Sequence, residues 1–485
     1  RGARRLEAPS RAVVPCAKIG ARLIRTRRLV PLVAAVVACQ PSPPADSGAS
    51  ESGEASSGGG SSGSSGGLAS TSGGGESGYT YYRDAKAILD TRCATCHRPN
   101  DIAPFSLETG EEAVMFASLI AGSISDGTMP PWPPSAACNS YDHARALLPA
   151  EREVLLGWID GGAVLGEPAD VPPGAMPPAP IAWDLELALP EPYTPTLLPD
   201  DYRCLIVEWP EKTLKYVTGF DVLPDKRPIV HHAIAFLIPP TSVLSYKKRD
   251  AEEAGPGYTC FGSPGGDYGI EWLGAWAPGT LPEVDETRGI PVQPGSALVV
   301  QMHYHPTDEA MADQTRFRVK LADSVQTPMH VVPFTNPDWL GGAMRIPAGD
   351  AHAIHSYTAD YSNFLGSYFP SVGIKKGDPF VIHRVGLHMH TRGTQASLSV
   401  ERSGGESECA LHIPRWDFNW QGSYSLQQRI TVNPGDQLQL GCEWDNSAAN
   451  QPIVDGTPMD PVDLYWGEGT GDEMCLAIMA VSRGK

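Results

Sequence analysis

The pattern of apolar and polar positions changes period along the chain. Residues 1–28 are mixed and basic, an unbroken apolar run follows at 29–38, and residues 40–78 carry almost no apolar side chains. From Tyr79 the apolar positions recur every three or four residues, as in YYRDAKAILDTRC and PAEREVLLGWIDGG. That period predicts amphipathic helices, the second stopping at Gly161-Gly162. Beyond a Pro-rich stretch at 171–180 the period falls to two. Runs such as YRCLIVEWP, HHAIAFLI, SALVVQMHYHP, FRVKLAD, ASLSVER and QRITVNPGDQLQLGCEW alternate, or are rich in β-branched and aromatic residues, with Gly and Pro turns between them. They predict short antiparallel strands. The expected fold is multi-domain: a small all-α domain over 79–170, then two all-β antiparallel sandwiches, because about three hundred residues exceed one sandwich.

Composition agrees, since 51 Gly and 46 Pro in 485 residues favour many turns over long helices. The N-terminus reads as targeting sequence. Arg25, Arg27 and Arg28 precede the apolar run, which is too short to span a bilayer, and Cys39 follows it. Val36-Val37-Ala38-Cys39 looks like a bacterial lipobox, which implies a leader at 1–38 and a lipid on Cys39. Residues 39–78, nearly all Ser, Gly, Glu and Pro, then form a flexible tether. The expected location is outside the bacterial cytoplasm, lipid-anchored at the periplasmic face of a membrane or at the cell surface. The formal charge of −19 argues against nucleic acid as a partner.

Cys93-Ala94-Thr95-Cys96-His97 has the spacing that attaches a c-type haem. Cys93 and Cys96 would form the thioethers and His97 would bind the iron. A redox disulfide or half a zinc site is disfavoured by the following His, the export signal and the lack of a second Cys-x-x-Cys. Met129, in the rigid DGTMPPWPPS loop, is the expected second axial ligand; Met115 is the alternative, though its position in EEAVMFASLI is more easily read as helix core. The segment 79–170 is therefore expected to be a c-type cytochrome domain.

Most histidines of the remaining chain come in close sets: His231-His232, His303-Tyr304-His305 and His388-Met389-His390. Residues two apart on a strand share a face, so His388 and His390 can reach one metal with Met389 turned away, and the geometry allows the same for His303 and His305. Adjacent His231 and His232 point to opposite faces of a regular strand and need a bulge to act together. Imidazole alone selects no metal, whereas a thioether selects copper over zinc.

In that order and separation, VHHAIAFLI, VVQMHYHP, GLHMHTRG and GDEMCLAIM resemble the copper type II, ascorbate-dependent monooxygenases, the family of dopamine β-hydroxylase and peptidylglycine α-hydroxylating monooxygenase. The resemblance covers residues 181–485. It implies two jelly-roll-like domains, 181–323 and 324–485, each with one copper, facing one another across an open, wet cleft. It implies an electron-transfer copper on His231, His232 and His303 and an oxygen-activating copper on His388, His390 and Met474. Gln301 matches a glutamine near the first copper, and His305 matches a position that is not a ligand. It also implies disulfides Cys204–Cys260 and Cys442–Cys475. Cys138 and Cys409 are left without assigned partners, each read as a small apolar core residue.

Where peptide-amidating relatives hold a carboxylate, this chain has Gly386, Leu476 and Ile478, so no charge-assisted donor is expected and the pocket reads as apolar. Histidines 143, 330, 352, 355 and 412 are read as structural, and His383 as structural ahead of a supporting role near His388. The resulting expectation is a copper-dependent monooxygenase using O2 on an activated C–H of a small or apolar substrate. Its electrons come from an external donor, a redox protein or small reductant, through the covalent haem, whose tethering raises its effective concentration. Two alternatives are an exported haem/copper electron-transfer relay without oxygenase activity, and a copper-binding surface lipoprotein.

Overall fold

The computed structural model describes residues 78–99, 103–172, 180–266, 269–278, 280–454, 456–467 and 469–485. The leader, Cys39 and the tether up to residue 77 lie outside these.

Four α-helices, Lys86–Arg92, Gly110–Met115, Ala117–Asp126 and Pro149–Asp160, make up the regular structure of 78–167 together with a π-turn at Tyr81–Ala85. Their boundaries have local causes. Thr109 caps the second helix, its hydroxyl accepting from the Glu112 N–H at 3.2 Å while the Glu112 carboxylate accepts from the Thr109 N–H at 2.9 Å. The last helix starts at Pro149, where a missing N–H costs nothing, and ends at Gly161. Tyr81, Leu89, Ile120, Leu155 and Trp158 form its core, each contributing about 1.5–3 kcal/mol by leaving water.

The rest of the chain is β. Every strand-like run of the sequence forms a strand, but the sandwiches do not stay separate. One nine-stranded sheet runs through both, in the order Ser423–Val432, Phe380–His388, Leu476–Arg483, His330–Phe334, Glu271–Trp276, Val230–Ile238, Ala297–Tyr304, Asp201–Glu208, Tyr258–Thr259. Val331 is the joint, paired with Ala480 on one side and Trp272 on the other. A six-stranded sheet, which includes Lys215–Leu223 and Arg316–Ala322, backs the first half. A four-stranded sheet of Ala353–Ala359, Gln437–Trp444, Gly393–Glu401 and Ser407–Ile413 backs the second. Two large apolar cores result, one around Leu205, Val300 and Phe317, the other around Phe334, Leu398 and Trp444, with a smaller cluster around Phe236, Tyr246 and Tyr258. The sequence signals strands by alternation but carries no signal for which edges meet, so the shared sheet is not visible in it.

The helical segment is docked. Cys138 and Cys409, read from sequence as separate core residues, are bonded to each other across 271 residues. Around them Ser135 N–H donates to the His412 carbonyl at 2.8 Å, Asp142 N–H to the Ser425 carbonyl at 2.9 Å, and the Tyr141 hydroxyl to the Ala410 carbonyl at 3.1 Å. Trp132, Tyr141 and Tyr424 pack with ring centroids 5.3–6.3 Å apart. Closing so long a loop restricts the unfolded chain strongly, so replacing both cysteines, Cys138→Ser with Cys409→Ser, is expected to lower the unfolding free energy by about 2–5 kcal/mol. Guanidinium unfolding of the two proteins measures it.

Candidate metal centres

Register builds the first histidine group. His232 lies directly opposite His303, and His303 directly opposite Tyr202, so three side chains stand abreast on neighbouring strands. His231 would point away from a regular strand. The pairing slips between Val230 and His232, and this bulge turns His231 into the group. The Nδ1 of His232 lies 3.3 Å from the Nδ1 of both His231 and His303. That is the separation of two nitrogens held at about 2.0 Å by one tetrahedral ion. Among the described residues, it is the one group of three or more His, Cys, Asp or Glu whose donors all fall within 4.8 Å.

Support comes from the next side chains out. His303 Nε2–H donates to Asp200 Oδ1 at 2.9 Å, which leaves its Nδ1 lone pair for the cluster. The Tyr202 ring stacks on His303 at 4.0 Å and 11°. His305, largely exposed, contacts Asp200 at 3.3 Å rather than the cluster. Burial alone would raise the Asp200 pKa; the hydrogen bond and charge of His303, then of His305, hold it down to about 2. Burial, then the neighbouring His303, lowers His231 to about 4 and pushes His232 well below its ordinary range. Neutral imidazoles are the form that binds metal.

The second group sits at the end of the Phe380–His388 strand. The His388 and His390 rings are 5.1 Å apart, and Met389 between them is fully buried in the core. His388 Nδ1 faces Gln421 Oε1, and His390 Nδ1 donates to the Asp472 carbonyl at 3.0 Å. Both Nε2 atoms are thereby oriented away from these supports. Met474 is buried and lines the same cavity as both histidines. Cys475 next to it is bonded to Cys442, and Cys204 is bonded to Cys260 near the first group.

Glu473, on the other side of Met474, is fully buried. Its carboxylate accepts from the His390 N–H at 2.9 Å, the Arg392 N–H at 2.6 Å and the Trp444 indole at 2.8 Å. Burial outweighs these bonds and raises its pKa to about 7. Sequence reasoning missed Asp200, Gln421 and Glu473. An acid directly before the Met of GDEMC was the available signal for Glu473, while Asp200 and Gln421 are separated from the histidines they hold by 103 and 33 residues.

His231 and His232 of the first group and His388 and His390 of the second face the same space. They line one cavity of ≈ 190 Å³, and a single ring, Phe418, stacks on His231 at 5.8 Å and stands edge-on to His390 at 6.1 Å. The shared sheet draws the halves together. Trp272, Trp276, Ile234, Leu476 and Ile478 make the wall largely apolar, as expected, and Gln301 also lines it. One charge-assisted donor is present after all. Arg384, four residues before His388, lines the cavity, its Nε without a hydrogen bond and ion-paired at 3.9 Å with the Glu283 carboxylate.

In the helical segment the Cys93 and Cys96 thiols are unbonded, unlike the six disulfide cysteines. Burial, then the neighbouring Cys96, raises the Cys93 thiol to about 12. His97 Nδ1–H donates to the Phe105 carbonyl at 3.1 Å, so Nε2 carries the free lone pair. Met129 is half-buried. Met115 is 75% exposed rather than core, because its short helix turns Gly110 and Ala113 inward instead. His352 and His355 go to separate partners, Glu443 and the Arg345 carbonyl, and His383 bonds Ser482 rather than supporting His388.

Residues 340–480 match the family model described as copper type II ascorbate-dependent monooxygenase, C-terminal domain. The chicken (Gallus gallus) DBH-like monooxygenase protein 1 is 26% identical over 110 residues, 22% of this chain and 16% of that protein. Its human (Homo sapiens) counterpart is 24% identical over 201 residues, 41% of this chain and 30% of that protein. The chain thus covers well under two thirds of the length of these relatives. Both findings support the copper type II, ascorbate-dependent monooxygenase family. Among solved structures, one titled Crystal Structure of the STIV MCP aligns with a TM-score of 0.19 at 9% identity, over 54% of this chain and 96% of that chain, which bears nothing on the fold.

Glu473→Ala would strand three buried donors. Each unpaired group costs about 1–3 kcal/mol, so a loss of at least about 3 kcal/mol in urea unfolding is expected.

Proposed function

We propose that the protein is a copper-dependent monooxygenase that hydroxylates an activated C–H bond of a small, largely apolar substrate with O2, drawing electrons from an external donor through a covalent haem c. The observation that carries this reading is the pair of donor sets opening on one apolar cavity. His231, His232 and His303 would hold one copper through Nδ1, and His388, His390 and Met474 would hold the other through Nε2 and sulfur. The thioether favours copper over zinc. Bound copper would supply one-electron chemistry and dioxygen activation, which no amino-acid side chain provides.

The chain's own residues do the rest. Asp200, Gln421 and the Asp472 carbonyl fix the imidazole tautomers and orientations. The tryptophans and aliphatic residues of the wall bind the apolar body of the substrate and exclude water from the reacting carbon. A relay or a metal-uptake protein needs no such cavity, which is why the enzyme reading is preferred to either.

Cys93 and Cys96 would attach the haem, with His97 Nε2 and Met129 Sδ as axial ligands. The free thiols and the engaged Nδ1 of His97 suit that role. The sequence at 29–39 supports export and a lipid anchor on Cys39, and three disulfides fit an oxidising compartment.

Metal and haem analysis of the purified protein should give two copper ions and one haem per chain. Met474→Ile should abolish oxygen-dependent hydroxylation while the haem spectrum stays unchanged. Zinc in place of copper under native isolation, or full activity in the Ile variant, would overturn the reading. Cys93→Ala with Cys96→Ala should remove the covalently bound haem, read as loss of the haem stain on a denaturing gel.

A further inference from the structure

We propose that the turn at 469–472 is a latch that clamps the two halves around the cavity and couples the orientation of one histidine group to that of the other, with Thr470 as its positioning residue. The inference rests on the preceding reading for what the cavity does, but its geometry involves this chain's residues alone.

Four polar groups connect the halves in one line. The Tyr202 hydroxyl lies 3.2 Å from the Thr470 hydroxyl, which donates to Asp200 Oδ2 at 3.2 Å; Asp200 Oδ1 accepts from His303 Nε2 at 2.9 Å. Tyr202 also stacks on the ring that Asp200 holds. Tyr202 and Asp200 belong to the first half. Thr470 belongs to the second, a few residues before the Leu476–Arg483 strand.

The other end of the same turn reaches the second group. The Asp472 N–H donates to the Gly469 carbonyl at 2.8 Å, and the Asp472 carboxylate accepts from the Gly469 N–H at 3.2 Å. These two bonds close the turn on itself. Its Asp472 carbonyl accepts from His390 Nδ1 at 3.0 Å, while Glu473, the next residue, holds the His390 N–H.

A single residue, Gly471, thus separates Thr470, which contacts the Asp200 that orients His303, from Asp472, whose carbonyl orients His390. If the turn lets go of Asp200, His303 loses one of its fixed neighbours, and the carbonyl that aims His390 loses its tether. An ion that orders either group orders the turn, and by linkage each group should raise the affinity of the other for its ion by the same factor.

The test compares Thr470→Val, which keeps the shape but removes the hydroxyl, with Thr470→Ser, which keeps the hydroxyl. Hydrogen exchange in the metal-free, disulfide-intact protein is followed for peptides covering 198–204 and 465–475. Exchange in both should be about tenfold faster in the Val variant and near wild type in the Ser variant. Titration with copper should show that His303→Ala weakens binding at the His388 group in the wild-type background, and that this effect vanishes in the Thr470→Val background. Equal exchange in the Val variant and the wild type, or equal behaviour of the Val and Ser variants, would overturn the latch. A wild-type protein that takes up no copper would instead sink the monooxygenase reading, and the exchange result would still decide the latch.

Discussion

The short strand His330–Phe334 is the constraint on which the rest depends. Its backbone is hydrogen-bonded on both edges, so two sandwiches that would each have left an edge open become one continuous sheet. Unpaired strand edges are a hazard in water, and joining them removes two at once. The same pairing fixes the distance between the halves and brings histidines from both onto one cavity. His330 adds a buried contact at this seam, 2.6 Å from the Glu271 carboxylate, which also accepts from the Ser371 hydroxyl.

Within each half, register does the chemical work. Side chains in a sheet can meet only where the ladder sets them opposite, and a slip of one residue reverses every face. His232, His303 and Tyr202 meet because three strands are in register. His231 joins them because the ladder slips once, at the place where adjacent histidines require it. The pairing between Phe380–His388 and Leu476–Arg483 sets His388 opposite Leu476, two residues past Met474.

Much of this was legible in the sequence. The period of two located the strands, the His-x-His spacing implied a common face, and the need for a bulge at His231-His232 followed from strand geometry alone. The switch from helical to strand period near residue 180 was equally plain. What stayed hidden depends on contacts between distant segments. Asp200 and Gln421 are ordinary polar residues until the fold sets them against an imidazole. Gly386, two residues before His388, carries no donor, but the long side chain of Arg384, four residues before it, lines the same cavity. Cys138 and Cys409 could not be matched because nothing local links residues that far apart.

The Cys138–Cys409 bridge also dictates an order of events in the making of the molecule. While the chain emerges from N to C, Cys138 must wait as a free thiol until Cys409 has followed it out, 271 residues later. During that interval the thiols of Cys93, Cys96 and Cys138 coexist with those of Cys204 and Cys260, and all are open to exchange until they pair. A correct product therefore requires that the pair at 93 and 96 be kept out of that exchange, by occupation or by reduction, before the Cys138–Cys409 bridge closes.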